Sequence, residues 1–202
     1  MKRALPLLLG ALMVGCVAQA RPPAGWQSGG VALVLPRATW NAGWTSVEML
    51  HDGRVIVNGV TWYTIDAAGR VVDGDGEPVA MLRPDGRLLG ADDEDLGFVG
   101  PTSAAAPGAP HATAAIAPSG QVLRYDEDGN AAGVGAWSGC GPYAPSLHAC
   151  MLVTHLVSAR FPVQGPINRS PMTPYGPFAP SVPALSPGTG TGLGIGIGFG
   201  TP

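Results

Sequence analysis

Asp52-Gly53-Arg54-Val55-Ile56-Val57-Asn58-Gly59-Val60-Thr61-Trp62-Tyr63-Thr64-Ile65 reads as a β-hairpin. Val55-Ile56-Val57 and Val60 to Ile65 are β-branched and aromatic, the residue types that suit a pleated, half-buried surface. Asn58-Gly59 sits between them. That pair suits a type I′ turn, which needs positive φ at both central residues and matches the twist of a hairpin.

The same signals recur on either side. Ala68-Gly69-Arg70, Asp75-Gly76-Glu77, Asp85-Gly86-Arg87, Ser119-Gly120-Gln121 and Asp128-Gly129-Asn130 each punctuate short apolar runs. The Asp-Gly pairs are expected as type I′ turns by the same argument. The runs between them include Val71-Val72, Val79-Ala80-Met81-Leu82 and Gln121-Val122-Leu123-Arg124-Tyr125. Gly53, Gly69, Gly86 and Gly120 are spaced by 16, 17 and 34 residues. A hairpin unit of about 17 residues, stacked as a meander, accounts for this. The gap near residue 103 coincides with Thr102 to Gly108, expected as a longer loop. The fold class is therefore mainly β: an antiparallel hairpin meander closing as a small barrel, a sandwich or a curled sheet.

The flanks read differently. Ser146, after Pro145, is expected to cap a helix running to Phe161. Leu147, Met151, Leu152, Leu156 and Val157 follow helical spacing. Most faces of that helix are apolar, which predicts burial against the sheet. Residues 162–202 are broken by Pro166, Pro171, Pro174, Pro177, Pro180 and Pro183 and end in a Gly-rich run, and read as a disordered tail. Residues 16–43 read as a tether ahead of a domain spanning 44–161. Within the tether, Val31-Ala32-Leu33-Val34-Leu35 is expected as a buried strand or an apolar patch.

Of 202 residues, 31 are Gly and 21 Pro, and only 12% are charged. Leaving out Lys2 and Arg3, nine basic residues face 14 acids, a net of −5. Such a surface repels DNA, so no nucleic-acid partner is expected. Met1-Lys2-Arg3 followed by the apolar run Ala4 to Val14 has the form of a secretory signal peptide, predicted over residues 1–15. Met13-Val14-Gly15-Cys16 resembles a bacterial lipobox, which implies a thioether-linked lipid on Cys16 and cleavage before it. Ala18-Gln19-Ala20 is a competing site of the ordinary secretory kind, which would leave Arg21 first. With Cys16 lipidated, Cys140 and Cys150 remain as a pair, and export favours a disulfide between them. Val17 is not Asp, so the resemblance implies an outer membrane in a host with two.

Chemistry is less legible. Cys140, His148, Cys150 and His155 are four metal-ligand types within sixteen residues, but export favours the disulfide over zinc. No metal and no cofactor are expected. His148 and His155 are seven residues apart and share one helix face, so either is a candidate base for a hydrolase. Asp92-Asp93-Glu94-Asp95, Asp126-Glu127-Asp128 and Asp73-Gly74-Asp75-Gly76-Glu77 supply carboxylates. They suggest an acid pair or calcium, yet Asp also favours turns in its own right, and none completes a calcium loop. Trp62, Tyr63, Tyr125 and Trp137 are expected as core or cross-strand partners.

From Trp44 to Phe161, about 118 residues, the chain resembles a family of uncharacterised bacterial envelope lipoproteins. The resemblance rests on Gly43-Trp44-Thr45-Ser46-Val47-Glu48, the D-G-R turns, Val99-Gly100-Pro101-Thr102 and Tyr125-Asp126-Glu127-Asp128-Gly129. It continues in Gly139-Cys140 and in Cys150-Met151-Leu152-Val153-Thr154-His155-Leu156. It implies an envelope location and brings no catalytic residues. The expectation is a lipid-anchored envelope protein, held to a membrane through Cys16, with a structural or binding role. Its partner would be an envelope protein or a polysaccharide. The alternative is a secreted or envelope hydrolase.

Overall fold

A computed structural model describes residues 20–160. The signal peptide, Cys16 and the 162–202 tail lie outside them.

Twelve antiparallel strands form a closed barrel in which each strand pairs with its sequence neighbours. They are β1 (Ala38–Ala42), β2 (Thr45–Met49), β3 (Arg54–Val57), β4 (Val60–Ile65), β5 (Arg70–Asp73) and β6 (Pro78–Leu82). Then come β7 (Arg87–Gly90), β8 (Asp95–Val99), β9 (Ser103–Ala105), β10 (Ala114–Ile116), β11 (Gln121–Tyr125) and β12 (Ala131–Ser138). β12 returns to β1, with Trp40 opposite Trp137, and closes the ring. The meander read from the sequence is thus a barrel, made of six hairpin units.

The 17-residue period has a structural cause. The turns at 50–53, 66–69, 83–86, 100–102 and 117–120 all fall at one end, called the upper end here. In each unit a turn carbonyl accepts from the strand two places on: Gly53 from Ile65 N, Gly69 from Leu82 N, Gly86 from Val99 N and Gly120 from Trp137 N. Thr102, in the apparent gap, does the same for Ile116 N at 2.8 Å. The longer loop lies at the other end, between β9 and β10.

The turn chemistry departs from expectation. Asn58 and Gly59 both have positive φ, 50° and 82°, as type I′ requires. In the Asp-Gly turns only the glycine does. Gly53 N donates to Leu50 O and Leu50 N to Arg54 O; the same pair of bonds recurs around Gly69, Gly76, Gly86, Gly120 and Gly129. These are three-residue loops, a type I turn followed by a left-handed glycine in a bulge. In two of the Asp-Gly turns the Asp before glycine accepts the N–H two residues on, Asp52 from Arg54 at 3.2 Å and Asp85 from Arg87 at 3.1 Å; in the other two that N–H goes to Asp73 or Asp126, at the start of the turn.

Strand side chains alternate. Trp40, Val47, Met49, Val55, Val57, Tyr63, Ile65, Val71, Leu82, Leu88, Val99 and Val122 point inward. Thr39, Asn41, Ser46, Arg54 and Thr61 face out and are exposed. This polarity is the reverse of a lipid-facing barrel and gives a water-facing wall around an apolar lumen.

The lumen holds α1 (Ala144–Arg160), buried from Ser146 to Val157 apart from half-buried Leu147. It contacts Tyr63 on β4, Leu96 and Val99 on β8, and Trp137 on β12. Those three strands are evenly spaced around the ring, so the helix runs through it rather than lying on one face. Twelve strands about 4.8 Å apart and tilted about 40° close on a radius of about 12 Å, room for one helix about 10 Å across plus packed side chains. The buried span of α1 is about 18 Å at 1.5 Å per residue, matching strands of four to six residues. The helix lies nearest β8, β9 and β10, where Ala104 and Ala114 leave it space. Met49, Val55, Tyr63 and Ile65 fill the opposite side. Ser146 is not the cap. The Tyr143 carbonyl opens the helix by accepting from Ser146 N and Leu147 N, both at 3.0 Å, and Pro145 takes a first-turn position that needs no donor.

The fold begins before residue 44. β1 belongs to the barrel, and residues 21–37 are packed on it as a strap. From the lower end, the strap climbs the outer wall across β6, where Gly25 covers outward-facing Met81. At the top, Gly30 N donates to Ala68 O, Val31 N to Leu82 O and Leu33 N to Ala67 O. Val31 to Leu35 forms no strand. Leu33 is buried in the core, and Val31 and Leu35 pack beside it, so this run stoppers the upper mouth. The apolar mouth of a filled barrel needs such a cover, and only the closed ring creates it.

Candidate functional site

The helix histidines are brought to one strand. His148 Nε2 lies 2.9 Å from Val99 O, and His155 Nε2 lies 2.8 Å from Leu96 O. A carbonyl only accepts, so each imidazole donates there. Both rings are buried, and their Nε2 protons are spent holding α1 to β8. Burial pushes the His155 imidazole below its usual range, and its bond to Leu96 works against that shift. The two rings act as a latch, a buried arrangement poorly suited to a solvent-facing general base.

Cys140 and Cys150 are joined, with Cα atoms 6.2 Å apart. The bridge ties the loop after β12 to the first turns of α1. It removes both thiols from the ligand set, and among the described residues no group of three or more His, Cys, Asp or Glu is placed to hold a metal ion.

The acid clusters are turn acceptors. Asp73 Oδ1 takes the N–H groups of Asp75 and Glu77, both at 3.0 Å. Asp126 takes those of Asp128 and Asn130, and the Asn130 amide as well. The Asn130 bonds hold the Asp126 carboxyl below the usual carboxylate range. Asp52 is lowered likewise, chiefly by the Arg54 backbone N–H.

Asp92 and Asp93 differ. Both have positive φ, 54° and 64°, a left-handed conformation that costs about 1–2 kcal/mol per residue off glycine. Their carboxylates face the start of the strap. Asp92 Oδ1 accepts from Arg21 N at 3.2 Å, and Asp93 accepts from Ala24 N and from Arg21 Nη2 at 3.1 Å. Asp92 N in turn donates to Arg21 O at 2.8 Å. This clamp is invisible in the sequence because Arg21 and Asp93 are 72 residues apart.

The clamp lies at the lower end, with the turns at 43–44, 58–59, 74–77 and 126–130. The C-terminal end of α1 lies there too: the Arg160 guanidinium sits 5.1 Å from the Tyr63 ring centroid. Burial pushes the Tyr63 hydroxyl up, the Arg160 charge pulls it back, and Asp73 adds to the rise. Arg21 and Arg160, the first and last side chains with described contacts, therefore share one end of the barrel.

Comparisons of the chain with protein-family models, curated proteins and solved structures return no match.

Proposed function

We propose that this is a lipid-anchored envelope protein, a rigid water-facing barrel carried on a membrane through Cys16, with a structural or binding role. The observation that carries the reading is Met13-Val14-Gly15-Cys16 at the end of the apolar run, and the clamp of Arg21 on Asp92 and Asp93 sets the length of the tether. The clamp leaves only residues 17–20 between the lipidated cysteine and the folded wall. That is about 18 Å from Cys16 to Arg21 when fully extended. An anchor this short holds the barrel at a membrane surface. The buried histidines and turn carboxylates are committed to the fold, which favours binding or scaffolding over hydrolysis.

A second reading has its own support. Cleavage after Ala20 would make Arg21 N a free ammonium group, placed 3.2 Å from Asp92 Oδ1 where a carboxylate would receive it. The protein would then be secreted. Intact mass and the N-terminal peptide of the mature protein separate the two. An acylated Cys16 is expected, with release from the membrane fraction in Cys16→Ala. A mature chain starting at Arg21 would replace the first reading by the second.

A further inference from the structure

Two adjacent hairpin tips at the lower end are apolar and open. Trp44 is 98% exposed and Val60 61% exposed. They project from the β1–β2 and β3–β4 turns. These turns are bound together: Ser46 N donates to Asn58 Oδ1 and Asn58 N to Ser46 O, each at 2.8 Å. No charged residue occurs between Asn41 and Val47 or between Val55 and Ile65. An indole left wholly in water on a rigid two-residue turn contributes nothing to the core. Its flat apolar body and single N–H suit the layer between lipid headgroups and acyl chains.

The tether decides which surface these tips meet. Arg21 is clamped at the same end, on the β7–β8 turn, opposite β1–β2 in the ring. The two turns are separated by about 24 Å, the diameter of a twelve-strand barrel. We infer that the lower rim rests on a bilayer at two places: the Cys16 lipid below β7–β8, and Trp44 with Val60 in the interfacial layer below β1–β4. This rests on the lipid-anchored reading. Acids in the turns at 73–77, 92–95 and 126–128 outnumber the bases on that rim, where Arg21 is paired with Asp93 and Arg160 sits over Tyr63. They favour a zwitterionic surface and disfavour an anionic one. Two contacts fix the orientation, so the upper end, with the strap and the disulfide loop, faces away from the membrane.

The test uses full-length lipidated protein in phosphatidylethanolamine–phosphatidylcholine vesicles with brominated acyl chains. Brominated lipid should quench a component of the tryptophan emission, and Trp44→Phe should reduce that component at least threefold while the protein still floats with the vesicles. Admixed anionic lipid should weaken the quenching, and salt should restore it. Floating protein whose quenching is unchanged in Trp44→Phe would overturn the docking and leave the anchor standing. Protection of Trp44 from acrylamide without vesicles, by self-association or by the rest of the chain, would overturn it as well. A mature mass starting at Arg21 would remove the anchor and the docking together, and that measurement is independent of the fluorescence.

Discussion

Trp137 Nε1 donates to Thr154 Oγ1 at 2.8 Å, deep inside the barrel, and Thr154 passes the bond on to the Cys150 carbonyl at 2.8 Å. One hydroxyl thus joins the closing strand β12 to the central helix. The neighbouring indole is treated similarly: Trp40 Nε1 donates to Val134 O at 2.9 Å, and the two rings pack 5.8 Å apart.

Thr154→Val keeps the shape and removes the acceptor. The Trp137 N–H is left buried and unpaired, which costs about 1–3 kcal/mol. Thr154→Ser retains the oxygen and should lose about 1 kcal/mol or less, the worth of one methyl group. Urea unfolding followed by tryptophan emission checks the order; equal losses would mean that the hydroxyl is not the link.

His155 makes stability fall with acid. Its folded-state value is lowered by burial, so the unfolded chain binds the proton more readily. The contribution is fully present above about pH 6.5 and is lost as pH falls below that value. The slope is at most about 1.4 kcal/mol per pH unit, the limit for one proton. His155→Gln keeps a donor for Leu96 O and should flatten the stability profile below about pH 6.5. The lowered carboxyls of Asp52 and Asp126 act separately, below the ordinary carboxylate range.

The glycines of the two ends should differ in sensitivity. A Cβ on Gly53, at φ 87°, would lie 1.8 Å from Ile65 O, the group beside the ladder bond between units. A Cβ on Gly76, at φ 86°, meets nothing within 4 Å. Gly76→Ala should cost about 1 kcal/mol, the left-handed penalty alone. Gly53→Ala adds a backbone collision and should cost about 3 kcal/mol or more. Thermal melts of the two variants check this, and similar losses would contradict the packing at the upper end.

Replacing Cys140 and Cys150 together by Ser opens a loop of about eleven residues and should lower stability by about 2–3 kcal/mol in the chain-entropy account. The helix remains enclosed, so its circular dichroism should persist. Loss of helix in the double variant would mean that the bridge, not the surrounding wall, holds α1 in place.

Much of this was legible along the chain, because hairpins are local. Asn58-Gly59 and the glycines at 53, 69, 86 and 120 mark turns by backbone requirement alone, and the strands between them declare themselves by composition. The helix after residue 143 follows from apolar spacing. Two local readings changed for local reasons. The Asp-Gly turns carry one more residue than a type I′ turn, and only their glycine has positive φ while aspartate carboxylates accept the turn N–H groups. The helix is opened by the Tyr143 carbonyl instead of the Ser146 side chain.

The remaining features depend on residues distant in sequence. β1 and the strap were read as tether because an edge strand and an apolar run show no partner until the ring closes on them. His148 and His155 looked like candidate bases, and only the course of β8 past α1 shows where their protons go. The Arg21 clamp needs two left-handed aspartates 71 and 72 residues away. Sequence by itself determined the hairpin repeat and the helix, since each rests on neighbouring residues. Tertiary structure alone decided that the meander closes, that the helix runs through it and that Arg21 and Arg160 lie at one end of the barrel. Those follow from the circumference twelve strands make and from what must then fill and cover the space inside.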